Sequence, residues 1–178
     1  MDIKLRFEEQ LALDYNASLE EVQNNQNILK RKERVSGARK VGSEESLLQI
    51  GVYNEKLLIV AKDEIFDWCK ENLLPKSNVE WLCEPGVIYK LNQMLEQHGQ
   101  FIADGHHYYL PVENTSLAKN YDCEVQWVEG DEIKQFENDD RFDEALLFTD
   151  DVENVLAVCA VKGGQILGMA GCTNDGQN

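Results

Sequence analysis

VLAVCAVKGGQILGMAG, residues 155–171, is the stretch whose reading decides the fold. Val155 to Lys162 reads as a strand and Gln165 to Ala170 as its returning partner. Gly163-Gly164 makes the tight turn between them, because glycine reaches positive φ at little steric cost. The chain ends soon afterwards, at Gly176-Gln177-Asn178. The hairpin is therefore expected to carry an unpaired apolar edge, and such edges invite pairing with another chain. A homodimer or a partner chain joined through this C-terminal strand edge is the resulting expectation.

Upstream of the hairpin, Cys123, Val125 and Trp127 alternate with polar residues as a half-buried strand does. A helical region around Ile133 and Phe136 and a second around Phe142, Ala145, Leu146 and Phe148 separate that strand from Val155. The order is strand, helix, helix, strand, strand. Residues 111–120 read as a linker, placing a domain boundary between 118 and 119.

The first domain, residues 1–118, reads as a mixture of helices and strands. Phe7, Leu11 and Leu13 suggest a short helix. Ser18 and Glu21 form a capping-box pattern that starts another. Leu47–Tyr53 and Leu57–Ala61 flank Asn54-Glu55-Lys56 as two antiparallel strands around a hairpin turn. A helix follows with Asp63 as its N-cap and Pro75 beyond its end. Another starts at Glu84-Pro85, carries Val87, Ile88, Leu91, Met94 and Leu95 at helical spacing, and stops at Gly99. Residues 101–110 read as short strands around Ala103-Asp104-Gly105. The predicted fold class is α+β: an N-terminal mixed domain, then residues 119–178 as the opening of a second core.

Three stretches, LALDYNASLEEVQNNQNIL (11–29), VQWVEGDEIKQFENDDRFDEALLF (125–148) and VLAVCAVKGGQILGMAG (155–171), occur in the order and spacing of one family. From about Leu11 to Gln177 the chain resembles GCN5-related N-acetyltransferases (GNAT), specifically bacterial acetyltransferases with an extra N-terminal domain. The resemblance implies a transferase that uses acetyl-CoA and a small-molecule amine acceptor. In that family an amine attacks the thioester carbonyl while a base or water takes its proton and a backbone N–H stabilises the oxyanion. It also implies that the acetyl-CoA site is built in the strand and helix after the hairpin. This chain is thus expected to be a truncated acetyltransferase, inactive alone and without tight acetyl-CoA binding. The alternatives are a non-catalytic interaction protein on the same scaffold, or one half of a split enzyme.

The family holds the pyrophosphate at a helix N-terminus through a loop written Arg or Gln, x, x, Gly, x, Gly or Ala. Gln165-Ile-Leu-Gly168-Met-Ala170 matches by letter, but it continues a hairpin strand and leaves no helix to hold a phosphate. Arg34-Val-Ser-Gly37-Ala38-Arg39 is a poorer match after no predicted strand. No residue is therefore assigned to cofactor binding, and the catalytic residues stay unassigned. Glu137, Asp139, Asp140, Asp143 and Glu144 could offer a carboxylate to an amine, and the resemblance puts this region beside the acceptor pocket. A solvated acidic face is the preferred reading of them. His106 and His107 point to opposite faces of a strand and lack a third ligand, so no metal site is expected.

Composition narrows the classes further. A formal net charge of −16 opposes binding to nucleic-acid phosphates. One basic cluster, Lys30, Arg31, Lys32, Arg34, Arg39 and Lys40, reads as a mobile solvated loop, with an anion contact as the functional alternative. The apolar runs are far shorter than the ~20 residues of a bilayer span, and the charged N-terminus does not resemble a secretory signal. A cytoplasmic protein without membrane contact is expected. Five cysteines without a Cys-x-x-Cys pair argue for buried free thiols.

Overall fold

The computed structural model describes residues 2–39, 43–79, 82–102, 105, 122–149 and 153–174. These form two compact units, one before and one after the undescribed residues 106–121. The expected boundary at 118/119, the linker, the 101–110 strands, His106 and His107 lie largely or wholly outside the described residues. The architecture is mixed α and β with two small sheets.

In the first unit, helices α1 (Ile3–Asp14) and α2 (Leu19–Gln23) precede strands β1 (Ile28–Arg31), β2 (Leu48–Tyr53) and β3 (Lys56–Ala61). Helices α3 (Asp63–Asn72) and α4 (Pro85–Leu95) follow. The sheet order is β1-β3-β2, with β1 parallel and β2 antiparallel to β3. β3 is buried along its whole length because both of its faces are covered. Leu58 and Val60 pack with Leu11, Tyr15 and Val22 from the α1–α2 side. Leu57, Ile59 and Ala61 pack with Ile65, Cys69, Leu91 and Leu95 from the α3–α4 side. Alternating side chains of one strand thus nucleate two cores.

Ser18 and Glu21 close the capping box at the start of α2 in both directions. Asn54 and Glu55 take positive φ of 48° and 60°, which makes a two-residue turn from β2 into β3. Gly99, at φ 70°, ends the short 3-10 turn that follows α4. Some expectations change. The N-cap of α3 is Lys62, and Asp63 is instead its first residue, where its charge faces the positive end of the helix dipole. β1 was not anticipated.

The second unit holds β4 (Glu124–Glu129), β5 (Asn154–Lys162) and β6 (Gln165–Thr173), in the order β4-β5-β6 and antiparallel throughout. Gly163 and Gly164 turn the hairpin at φ 59° and 77°. The two helical regions expected between β4 and β5 are 3-10 turns, Gly130–Phe136 and Asp140–Phe142. Asp139 caps the second turn, accepting from the Arg141 N–H, and short polar residues here favour local side-chain bonds over a long helix. Ile133, Phe136, Phe142 and Leu146 close over Ala157, Cys159 and Val161 to form the core. The opposite face of β4 exposes Val125 and Trp127, the latter at 63%.

Candidate cleft beside strand β6

The path of residues 142–146 is fixed by one glycine. A Cβ at Gly171 would lie 2.2 Å from the Ala145 carbonyl oxygen and 2.6 Å from Leu146 Cδ2, so only glycine lets the segment lie this close to β6. A cleft of about 240 Å³ opens alongside this contact. Arg141, Phe142, Glu144 and Ala145 form one wall, and residues 166–169 of β6 form the other.

Arg141 is held in place. Its Nε donates to Asp139 Oδ1 at 2.8 Å and its Nη2 to Oδ2 at 2.6 Å, while the guanidinium lies 4.9 Å from the Phe142 ring centroid. The bond from Arg141 holds the Asp139 carboxyl below its usual range, and Asp139 in turn raises the guanidinium. This ion pair is solvent-exposed, so it orients the side chain more than it stabilises the unit.

Of the acidic residues singled out in the sequence, Glu144 lines the cleft and Asp139 positions Arg141. Glu137, Asp140 and Asp143 are exposed and do not line it. Arg141 and the β6 wall were not anticipated as parts of one site. Gln165-Ile-Leu-Gly168-Met-Ala170 lies in β6, paired with β5, and no helix follows it among the described residues. Arg34-Val-Ser-Gly37-Ala38-Arg39 lies between β1 and β2, again without a helix. Neither stretch has the helix N-terminus that a pyrophosphate requires, so neither forms that loop among the described residues.

The first unit carries a second polar constellation, around α1. Glu8, 4% exposed, accepts from the Tyr53 hydroxyl at 2.7 Å and from Gln23 Nε2 at 2.8 Å. Burial pushes the Glu8 carboxyl up, but these two bonds and Lys4 outweigh it, and the net direction is down. Burial, aided by Glu8, pushes Tyr53 up to about 12. The carboxylate and the phenol are therefore both locked in their resting protonation states, which suits a structural tie rather than proton transfer.

Asp14, on the same helix, accepts from Arg39 N, Nε and Nη2 at 2.8, 2.7 and 2.6 Å and from Gln10 Nε2 at 2.9 Å. Both charged side chains are buried, at 7% and 1% exposure for Arg39 and Asp14. Gln10 also donates to the Gly37 carbonyl. The basic stretch is thus not a freely solvated loop. Lys30 pairs with Glu21, Arg31 with Asp63 and Arg34 with Glu44, while Lys32 donates to Ser43 and Ser46. Among the described residues of the cluster these partners leave little charge for an anion, and Lys40 lies outside them. Lys56, 1% exposed, donates to the Glu21 and Asn24 carbonyls at the C-terminal end of α2, which is how a charged residue is tolerated inside the first unit.

Among the described residues no group of three or more His, Cys, Asp or Glu is placed to hold a metal ion. Nor is any helix among them long and apolar enough to cross a membrane. All five cysteines are free, but only Cys69 and Cys159 are buried. Cys83 and Cys172 are exposed, which corrects the expectation of uniformly buried thiols. No protein-family model, curated protein or solved structure matches the chain.

Proposed function

We propose that this chain is the N-terminal portion of an acetyl-CoA-dependent N-acetyltransferase of the GCN5-related class, in which the second unit supplies the acceptor side. The observation that carries the reading is the second unit's order: β4, two short helical turns, β5 and β6 in one antiparallel sheet, with residues 142–146 packed on β6. This agrees with the strand, helix, helix, strand, strand opening that the resemblance implies, although the helices are reduced to 3-10 turns. Among the described residues β6 is one of the sheet's two outer strands, which is compatible with the next strand that the family would add.

The test is release of the free CoA thiol from acetyl-CoA in the presence of a primary amine. It compares the 178-residue chain with the polypeptide encoded by its uninterrupted reading frame. The longer polypeptide is expected to turn over and the 178-residue chain to be inactive. Absence of amine-dependent release by the longer polypeptide across a broad amine panel would refute the reading. A non-catalytic interaction protein is the second reading, favoured by the exposed Val125 and Trp127 face. It expects no release from either polypeptide.

A further inference from the structure

The core of the second unit lies on one side of its sheet, and the other side is apolar and exposed. The register sets Val125 and Trp127 of β4 beside Ala160 and Val158 of β5, and these beside Gly168 and Ala170 of β6. Alternation puts all six on the face opposite Ala157, Cys159 and Val161, which hold the core. Val125 is 43% exposed and Trp127 63%. Side-chain bulk falls from Trp127 across the sheet to Gly168 and Ala170, so the face steps down from an aromatic edge to a nearly flat floor. Three strands span about 10 Å, the width of one helix with its side chains, and residues 125–129 run for about 13 Å, the length of roughly nine helical residues.

Charge selects the occupant. Glu129 stands beside Leu156 at one end of this face, exposed and with no cation paired to it among the described residues. At the other end Asp122 cancels Lys162. A second copy is disfavoured, because it would bring two chains of net charge −16 together, whereas a cationic partner is drawn in. We propose that this face binds one amphipathic helix of a basic partner protein, with the helix's apolar stripe on Trp127 and Val158 and a flanking Lys or Arg on Glu129. Trp127 is the anchor, since a large aromatic gains most from being covered at an interface. This inference rests on the interaction-protein reading and names the chemistry of its partner.

The experiment is amide NMR of the 178-residue chain titrated with three synthetic peptides of about 14 residues, the length at which an isolated helix begins to hold. They are an amphipathic Leu/Lys helix, a scramble of the same composition, and the matching Leu/Glu helix. Saturable shifts at residues 125–129, 156–160 and 168–170 are expected with the amphipathic Leu/Lys peptide alone, weakening as salt is added. Trp127→Ser is expected to weaken binding roughly tenfold while the spectrum stays folded. Glu129→Gln is expected to flatten the salt dependence. Tyr89→Ser, which removes an aromatic side chain 64% exposed in the first unit, is expected to change nothing. The proposal is overturned if the Leu/Lys helix gives no saturable shifts, if the scramble or the Leu/Glu helix binds as well, or if Trp127→Ser and Tyr89→Ser behave alike. It is equally overturned if sedimentation shows a second copy already covering the face. Because acetyl-CoA is absent from this titration, its failure is distinct from any outcome of the turnover assay.

Discussion

Replacing Gly171 by alanine puts the close approach of residues 142–146 to β6 under direct test. The new Cβ would sit 2.2 Å from a backbone carbonyl oxygen and 2.6 Å from Leu146 Cδ2. Neither distance is tolerable, and the carbonyl cannot swing aside as a side-chain end would. Leu146, 3% exposed, is also part of the core under the sheet. Relief requires the 142–146 segment to lift from β6, an overpacking cost of about 2 kcal/mol. For a unit of this size, 1 kcal/mol moves the midpoint by roughly 4–8 °C, so a loss of about 10 °C is expected. Gly168→Ala is the matched control, since its Cβ meets nothing within 4 Å. Thermal unfolding followed by amide NMR reads the two units separately. Gly171→Ala should lower the second unit alone. Equal midpoints for the two variants would refute this account of the cleft.

Asp14→Asn takes a buried carboxylate away from the buried Arg39 guanidinium and is expected to cost about 3 kcal/mol in urea denaturation of the first unit; a loss below 1 kcal/mol would show that the loop is not anchored there. Tyr53, raised to about 12 against an ordinary value near 10, contributes stability that is fully present below pH 10 and is lost as pH rises through 12. Tyr53→Phe should therefore reduce the fall in stability between pH 10 and 12, measured by urea midpoints across that range, and an unchanged slope would contradict the Glu8–Tyr53 tie. Burial pushes the Cys69 thiol up to about 11 and also raises Cys159, so at neutral pH a maleimide followed by peptide mass mapping should label Cys83 and Cys172 while sparing those two.

Local chemistry made much of the fold legible. The Ser18–Glu21 box, Pro85 with Gly99, and the Gly163-Gly164 hairpin each fix backbone geometry within a few residues and stand where the sequence places them, while the Asn54-Glu55-Lys56 turn shortens to Asn54-Glu55 because Lys56 pairs with Tyr53 as the first residue of β3. β1 escaped because a four-residue parallel strand takes its partner from residues 58–61, and no local signal encodes that pairing. Lys56 would ordinarily be read as exposed, and its burial depends on two carbonyls more than thirty residues away. The region around Phe142, Ala145, Leu146 and Phe148 reads as a second helix, but only a short 3-10 turn, Asp140–Phe142, forms there, capped by Asp139.

The cleft was half visible. Glu144 stood out as one acid among several, whereas Arg141 gains its role through Asp139 and β6 gains its wall through Gly171, contacts that spacing alone does not reveal. A strand glycine facing a turn was the signal that could have pointed there.

The proposal that this chain opens an acetyltransferase is tested most directly by reading the gene beyond the codon for Asn178, through about 80 further residues, roughly enough to complete a domain of ordinary size. The account predicts a continuous frame encoding a strand and then an Arg or Gln, x, x, Gly, x, Gly or Ala loop opening a helix. A stop codon, or a continuation without that loop, would contradict it.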